Sequence, residues 1–155
     1  MSSSRPCVIR RDLPAYSVAQ HCVLVSLLVG RAGGGLTAQR AGLLHDVAEA
    51  LGFNDLAGPL RDQPEMWWYR KKERECKLSV CEHYFWIPRE GEKCWSRVRE
   101  ADELALWVEK RDLLAPEDWW EGPLVLCVEP IVVLTQEEAE RAWWDRASEL
   151  GLVFP

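Results

Sequence analysis

Apolar residues recur along this chain at helical spacing in five stretches, separated by Gly, Pro and mixed-charge turns, and each stretch predicts a helix. The first opens at Ser17-Val18-Ala19-Gln20, a capping box whose hydroxyl and amide suit the free N–H groups of a helix start. It runs through Leu28 and ends in the glycine-rich turn 30–35. Thr37 reads as the N-cap of the second, which carries Leu43, Leu44, Val47, Ala48 and Leu51 on one side and stops at Gly52. Residues 55–61 read as a loop or a single short turn, because Gly58-Pro59 punctuates them. A long third helix spans 65–86 and is ended by Pro88. The fourth, 96–114, sets Val98, Ala101, Ala105, Val108 and Asp112 along one stripe, with Asp102 at its border. Residues 119–130 read as irregular apart from a strand-like run at 124–128 that has no partner of comparable quality. A second capping box, Thr135-Gln136-Glu137-Glu138, opens a terminal helix through Leu150 that Gly151 caps. With no repeat and no domain boundary, the pattern predicts a single domain over 1–155, an all-α bundle of five or more helices.

Composition leaves that picture standing and narrows the partners. At 155 residues, with 48% hydrophobic and 28% charged residues, the chain can bury a full core. A formal net charge of -6 disfavours a nucleic-acid coat or a polybasic membrane surface, so any phosphate must be met by local charge. No apolar stretch approaches the ~20 residues that span a bilayer, and residues 1–5 lack the apolar core of a signal peptide. The expectation is a cytoplasmic protein without nucleic-acid or membrane partners. The six cysteines show no C-x-x-C spacing and read as reduced, packed thiols. The run Arg70-Lys71-Lys72-Glu73-Arg74-Glu75 mixes signs at helical spacing and reads as a solvated face, and His83 as packing or surface. Nine tryptophans, among them the pairs 67–68, 119–120 and 143–144, read mostly as core or subunit contacts and predict a homo-oligomer, with one or two able to stack on a nucleobase.

The chemistry concentrates in Leu43-Leu44-His45-Asp46-Val47-Ala48-Glu49-Ala50. Asp46 and Glu49 stand at i, i+3 and His45 and Glu49 at i, i+4, so one helical turn would aim all three toward a common point. Two acids and an imidazole on a nearly buried turn repel, shift their pKa values or stay unpaired unless something positive lies between them, and a divalent metal ion meets that need. On these eight residues alone, a satisfied core histidine beside a solvated acid fits as well. His21, taken by itself, reads as structural.

The stretches Tyr16-Ser17-Val18-Ala19-Gln20-His21-Cys22-Val23-Leu24-Val25 and Leu43 to Ala50, followed by Arg99-Glu100-Ala101-Asp102 and Arg111-Asp112-Leu113, resemble the HD-domain phosphohydrolases, and within them the compact deoxynucleotidase and phage-type branch. The resemblance covers about residues 16–150, with His, His-Asp and Asp in the family's order. It implies a helical HD fold holding one divalent metal ion (Co, Mn, Zn or Mg) through His21, His45, Asp46 and Asp102. Imidazole with carboxylate suits such an ion, which would polarise a phosphoryl group and lower the pKa of a water. It further implies that Glu49 orients or deprotonates that water and that Asp55 serves the leaving group, an alignment that accepts one inserted residue because Asn54 holds the commoner position. Arg61 stands where a basic residue contacts substrate phosphate. For the family's N-terminal arginine the candidates are Arg5, Arg10 and Arg11, with Arg5 placed in substrate binding. The implied activity is hydrolysis of deoxynucleotides, by a dNTP (dATP) triphosphohydrolase or a deoxyribonucleoside 5'-monophosphatase. The alternatives are a cyclic-nucleotide or alarmone phosphohydrolase, whose additional signature histidines are not evident, and a non-catalytic nucleotide-binding helical module.

Overall fold

A computed structural model of the chain describes residues 15–53, 58–89, 93–114 and 128–154, with the side chains of Gly58 and Arg61 excepted. They form an all-α bundle: α1 (Val18–Arg31), α2 (Leu36–Leu43), the one-turn helices α3 (Val47–Ala50) and α4 (Gly58–Arg61), α5 (Trp67–Phe85), α6 (Lys93–Leu113) and α7 (Gln136–Glu149). A 3₁₀ turn, Pro64–Met66, leads into α5. Among the described residues there is no β-strand, and no helix is long and apolar enough to cross a membrane. The run 124–127 lies outside the described residues, as do Cys7, Cys127, Trp119 and Trp120.

Helix α1 lies at the centre, packed on α2, α6 and α7, while α3 rests on α5. Val25, Leu28 and Val29 of α1 meet Ala38, Ala41 and Leu44 on one side and Val98, Ala101, Ala105 and Val108 of α6 on the other, all buried. Small residues at the contacts let these helices approach closely. At Gly42 an added Cβ would stand 3.2 Å from the Cα of Ser26, which is backbone and cannot swing aside. Gly42→Val should therefore cost about 1–3 kcal/mol of overpacking, more than the helix propensity it gains. A fall in Tm of several degrees by calorimetry is expected, and an unchanged Tm contradicts the close approach.

A buried polar tie fixes α7 to this pair. Arg146 Nε donates to Ser26 Oγ at 3.1 Å and its Nη2 to Gln39 Oε1 at 2.7 Å, while Ser26 Oγ donates to the Gln39 carbonyl at 3.0 Å. Ser26 is fully buried, so these bonds satisfy a hydroxyl that would otherwise be costly.

Several elements depart from the sequence pattern. The second helix is not continuous to Gly52: it starts at Leu36 after the N-cap Gly35, not at Thr37, and breaks into a turn over 44–46. Only half of the first capping box forms. Ser17 accepts from the Gln20 N–H at 3.2 Å, but the Gln20 side chain instead donates to the Val132 carbonyl at 2.7 Å and accepts from the Leu134 N–H at 3.1 Å, pinning the segment before α7. The second box is complete, with Thr135 and Glu138 capping each other's N–H groups, and Gly151 ends the helix at φ 65°. Helix α5 stops because Trp86 turns left-handed at φ 57°, letting the Ile87 N–H reach the Cys81 carbonyl at 3.1 Å and burying Ile87. That turn throws Trp86 out to 87% exposure. Cys22, Cys81 and Cys94 are buried and in no disulfide, as their apolar neighbours predict, and exposed His83 stacks edge-on against Tyr84.

Candidate metal centre

Two helices and one turn converge on a cluster of imidazoles and carboxylates. His21 lies one turn into α1, four residues before buried Val25, which carries its ring toward the interior. Asp102 and Glu109 stand seven residues apart on α6, on either side of fully buried Ala105, whose small side chain lets α1 come close. His45 and Asp46 sit in the break between α2 and α3. The His45 ring turns back so that Nδ1 meets the Gly42 carbonyl at 2.8 Å. The backbone at Leu44 (φ -106°, ψ 6°) and Asp46 (φ -105°, ψ 18°) occupies the bridge region that irregular functional turns favour. Asp46 is the N-cap residue of α3, yet its carboxylate makes no cap hydrogen bond, which leaves it directed at the cluster.

The distances are those of a ligand set. His21 Nε2 lies 3.2 Å from His45 Nε2, 3.2 Å from Asp102 Oδ1 and 3.7 Å from Asp46 Oδ2. His45 Nε2 lies 3.1 Å from Asp46 Oδ2 and 3.7 Å from Asp102 Oδ1. Donors about 2.0–2.2 Å from a single ion stand roughly 3–3.6 Å apart at right or tetrahedral angles, and each of the two carboxylate oxygens lies at or close to that range from both imidazole nitrogens. Both Nδ1 atoms face acceptors, the Gly42 carbonyl for His45 and, at 2.5 Å, Glu109 Oε1 for His21. With Nδ1–H on each ring, both Nε2 lone pairs join two carboxylates around one point, an arrangement that needs a cation. The residues present therefore fit a divalent ion.

Without an ion, protons take its place. Burial opposes charge on His21, but hydrogen bonds to Asp102 and Glu109 outweigh it and raise the ring to about 10. Burial likewise opposes charge on His45, and bonds to Asp102 and Asp46 carry it up to about 12. The same contacts outweigh burial at Asp102 and Asp46 and hold both below the usual carboxylate range. Both imidazoles thus gain folded-state affinity for a proton. Their stabilisation of the metal-free protein is complete below pH 6.5 and is lost as pH rises through about 10 and about 12. An ion must displace the protons held among these rings, so its affinity should climb with pH, by roughly tenfold per unit for each proton lost. The gain in Tm on adding Mn(II) should accordingly be much larger at pH 8.5 than at pH 6, and equal gains contradict proton displacement.

The structure groups His21, His45 and Asp102 within 4.8 Å of one another, places Asp46 beside both histidines, and adds one partner that sequence reasoning missed. Glu109 accepts from His21 across a separation of 88 residues, and only the two-turn spacing from Asp102 could have pointed to it. Half-buried Tyr16 lies beside it, its hydroxyl pushed up first by burial and then by the Glu109 charge. Cys22 was also missed as chemistry. Its thiol, with His45 and Asp46, forms a second group of donors within 4.8 Å of one another, and because His45 Nε2 has one lone pair the two groups are alternatives for one ion.

Two clefts meet at this centre. One, of about 670 Å³, is lined by His45, Asp46, Glu49 and Asp102 together with five basic side chains, including Arg70, Arg74 and Lys77 of α5. The other, of about 690 Å³, shares Asp46 and Glu49 as its rim and is walled by apolar and aromatic groups, among them Tyr84, Phe85, Trp143 and Phe154. Glu49, half-buried on α3, thus faces both clefts but is not one of the close donors. Asp55 and Arg5 lie outside the described residues, and Arg61 is placed by its backbone alone, in α4. The sequence matches no protein-family model, and no curated protein is significantly similar to it.

Proposed function

We propose that this chain is a divalent-metal-dependent phosphohydrolase of deoxynucleotides, a dNTP triphosphohydrolase or a 5'-monophosphatase, acting in the cytoplasm as a homo-oligomer. The observation that carries the reading is that Asp46 Oδ2 and Asp102 Oδ1 each lie 3.1–3.7 Å from His21 Nε2 and His45 Nε2, themselves 3.2 Å apart, with both Nδ1 atoms already committed. What favours a nucleotide is the pairing of a basic cleft with an aromatic one at a shared rim, since such an ester is charged at one end and flat and apolar at the other. Trp67, Trp68 and Trp86, all more than half exposed, support association between copies.

The bound ion supplies Lewis acidity, neutralising phosphoryl charge and making a water more acidic. The protein's own part is orientation and proton transfer. His21 and His45 are held in one tautomer by Glu109 and the Gly42 carbonyl. Glu49, on the rim of both clefts, takes the proton as the water oxygen bonds to phosphorus. The phosphorus–oxygen ester bond then breaks, and the leaving oxygen gains a proton, the role that the resemblance implies for Asp55. Phosphate release and chromatography on dNMPs and dNTPs, with Mn, Co, Mg and Zn supplied in turn, test this directly. Turnover of at least one substrate that is abolished by chelation is expected, and none with metal-loaded protein overturns the reading.

A further inference from the structure

The mixed-charge run at the start of α5 divides into two faces. Lys71, Lys72 and Glu75 point away from the cleft and pair with each other, at 3.9 Å for Lys71 and 3.1 Å for Lys72. This is the solvated face that the sequence predicts. Arg70, Arg74 and Lys77, at i, i+4 and i+7, instead line the cleft that ends at His45, Asp46 and Asp102. The same cleft is lined by Arg99, one turn before Asp102 on α6, and by Arg89 in the α5–α6 connection. Lys77 lies over the Trp95 ring at 5.5 Å, Arg89 is braced at 2.5 Å by Glu82, and Arg70 donates to the Gln63 carbonyl at 3.5 Å, so neighbours hold these cations in place.

We propose that this cleft face is a binding site for a linear triphosphate group, with Arg70, Arg74, Lys77 and Arg99 as its anion-binding residues. It rests on, and deepens, the phosphohydrolase reading by assigning the phosphate chain to α5. The charge balance favours an anion: with Arg89 paired to Glu82, the cleft outside the donor set still carries four cations against Glu49 and Glu73, in a protein whose net charge is -6. Extent favours three phosphates over one: from Arg70 to Lys77 the helix rises about 10 Å, longer than one phosphate group and comparable to a chain of three. Guanidinium groups suit this work, because each can hold two phosphate oxygens at once.

Calorimetric titration of the full chain in EDTA tests the site with inorganic tripolyphosphate, orthophosphate and dATP as probes. Tripolyphosphate should bind at least tenfold more tightly than orthophosphate. Arg70→Gln/Arg74→Gln, and separately Arg99→Gln, should each weaken it at least tenfold, while Lys71→Gln/Lys72→Gln on the paired face should leave it within twofold. Far-ultraviolet circular dichroism on each variant reports whether the helices persist, and the separate Arg99→Gln variant keeps the test valid if the double variant unfolds. Tighter binding of dATP than of tripolyphosphate assigns the site to a nucleotide; the reverse assigns it to free polyphosphate. Equal affinity for orthophosphate and tripolyphosphate, or equal loss in the Lys71/Lys72 control, overturns the proposal. Chelation-sensitive turnover of dNMPs without tripolyphosphate binding removes this site and keeps the hydrolase. Tripolyphosphate binding that depends on α5, without turnover of any nucleotide, does the opposite.

Discussion

Asp46→Ala should strip metal and activity together while leaving the helical spectrum of the parent. The carboxylate bonds within the cluster, to the two histidine rings, and does not cap α3, so its removal deletes a proposed ligand without opening the core. Loss of a partner outside the ligand set, which Glu109→Gln provides by weakening the bond to His21 Nδ1, should cost roughly 10–100-fold in metal affinity. Asp46→Ala should cost more than that and should not be rescued by millimolar metal. Equilibrium dialysis with metal analysis of both variants orders the two effects. Wild-type stoichiometry in Asp46→Ala would remove this residue from the centre, and equal losses in the two variants would make Glu109 as much a ligand as a support.

The parts of this centre differ in how far they could be read along the chain. Helix positions followed from apolar spacing and from caps: the box at Thr135 and Glu138 forms as its residues require, and α7 runs from it to Gly151. His45 and Asp46 stood out because polar groups in an apolar run are costly. Periodicity alone, however, predicted an unbroken helix there, and the observed break is accompanied by the His45 ring meeting the Gly42 carbonyl, a side-chain contact that helical spacing does not encode. Thr37 fails as a cap because α2 begins two residues earlier, after Gly35, with no side-chain cap at all. Gln20 satisfied the local capping pattern, yet two backbone groups more than a hundred residues away compete for its amide. Glu109 and Arg146 act across comparable separations; the two-turn spacing from Asp102 is the one local sign of the first, and the second has none. The charge run at 70–75 shows the same limit. Its composition is read easily, but which cations pair with Glu75 and which face the cleft depends on how α5 is rotated against α3 and α6.

Glu49→Gln is expected to separate proton transfer from ligation. The substitution keeps shape and hydrogen-bonding reach and removes only the charge and the basicity, so metal and nucleotide should bind nearly as they do to the parent. Glu49 is set apart from the ligands by position: it lies on α3, half-buried at the rim where the basic and apolar clefts meet, and is not among the close donors. General acid–base roles are worth roughly 10²–10⁴ in rate, or about 3–5 kcal/mol of barrier. A fall of that size in kcat with little change in KM places the residue in the transition state and not in ground-state binding. Loss of metal would instead make Glu49 a ligand or a ligand support, in conflict with the donor geometry. Full activity would mean that the water loses its proton without this carboxylate, and the proposed chemistry would be wrong at its central step.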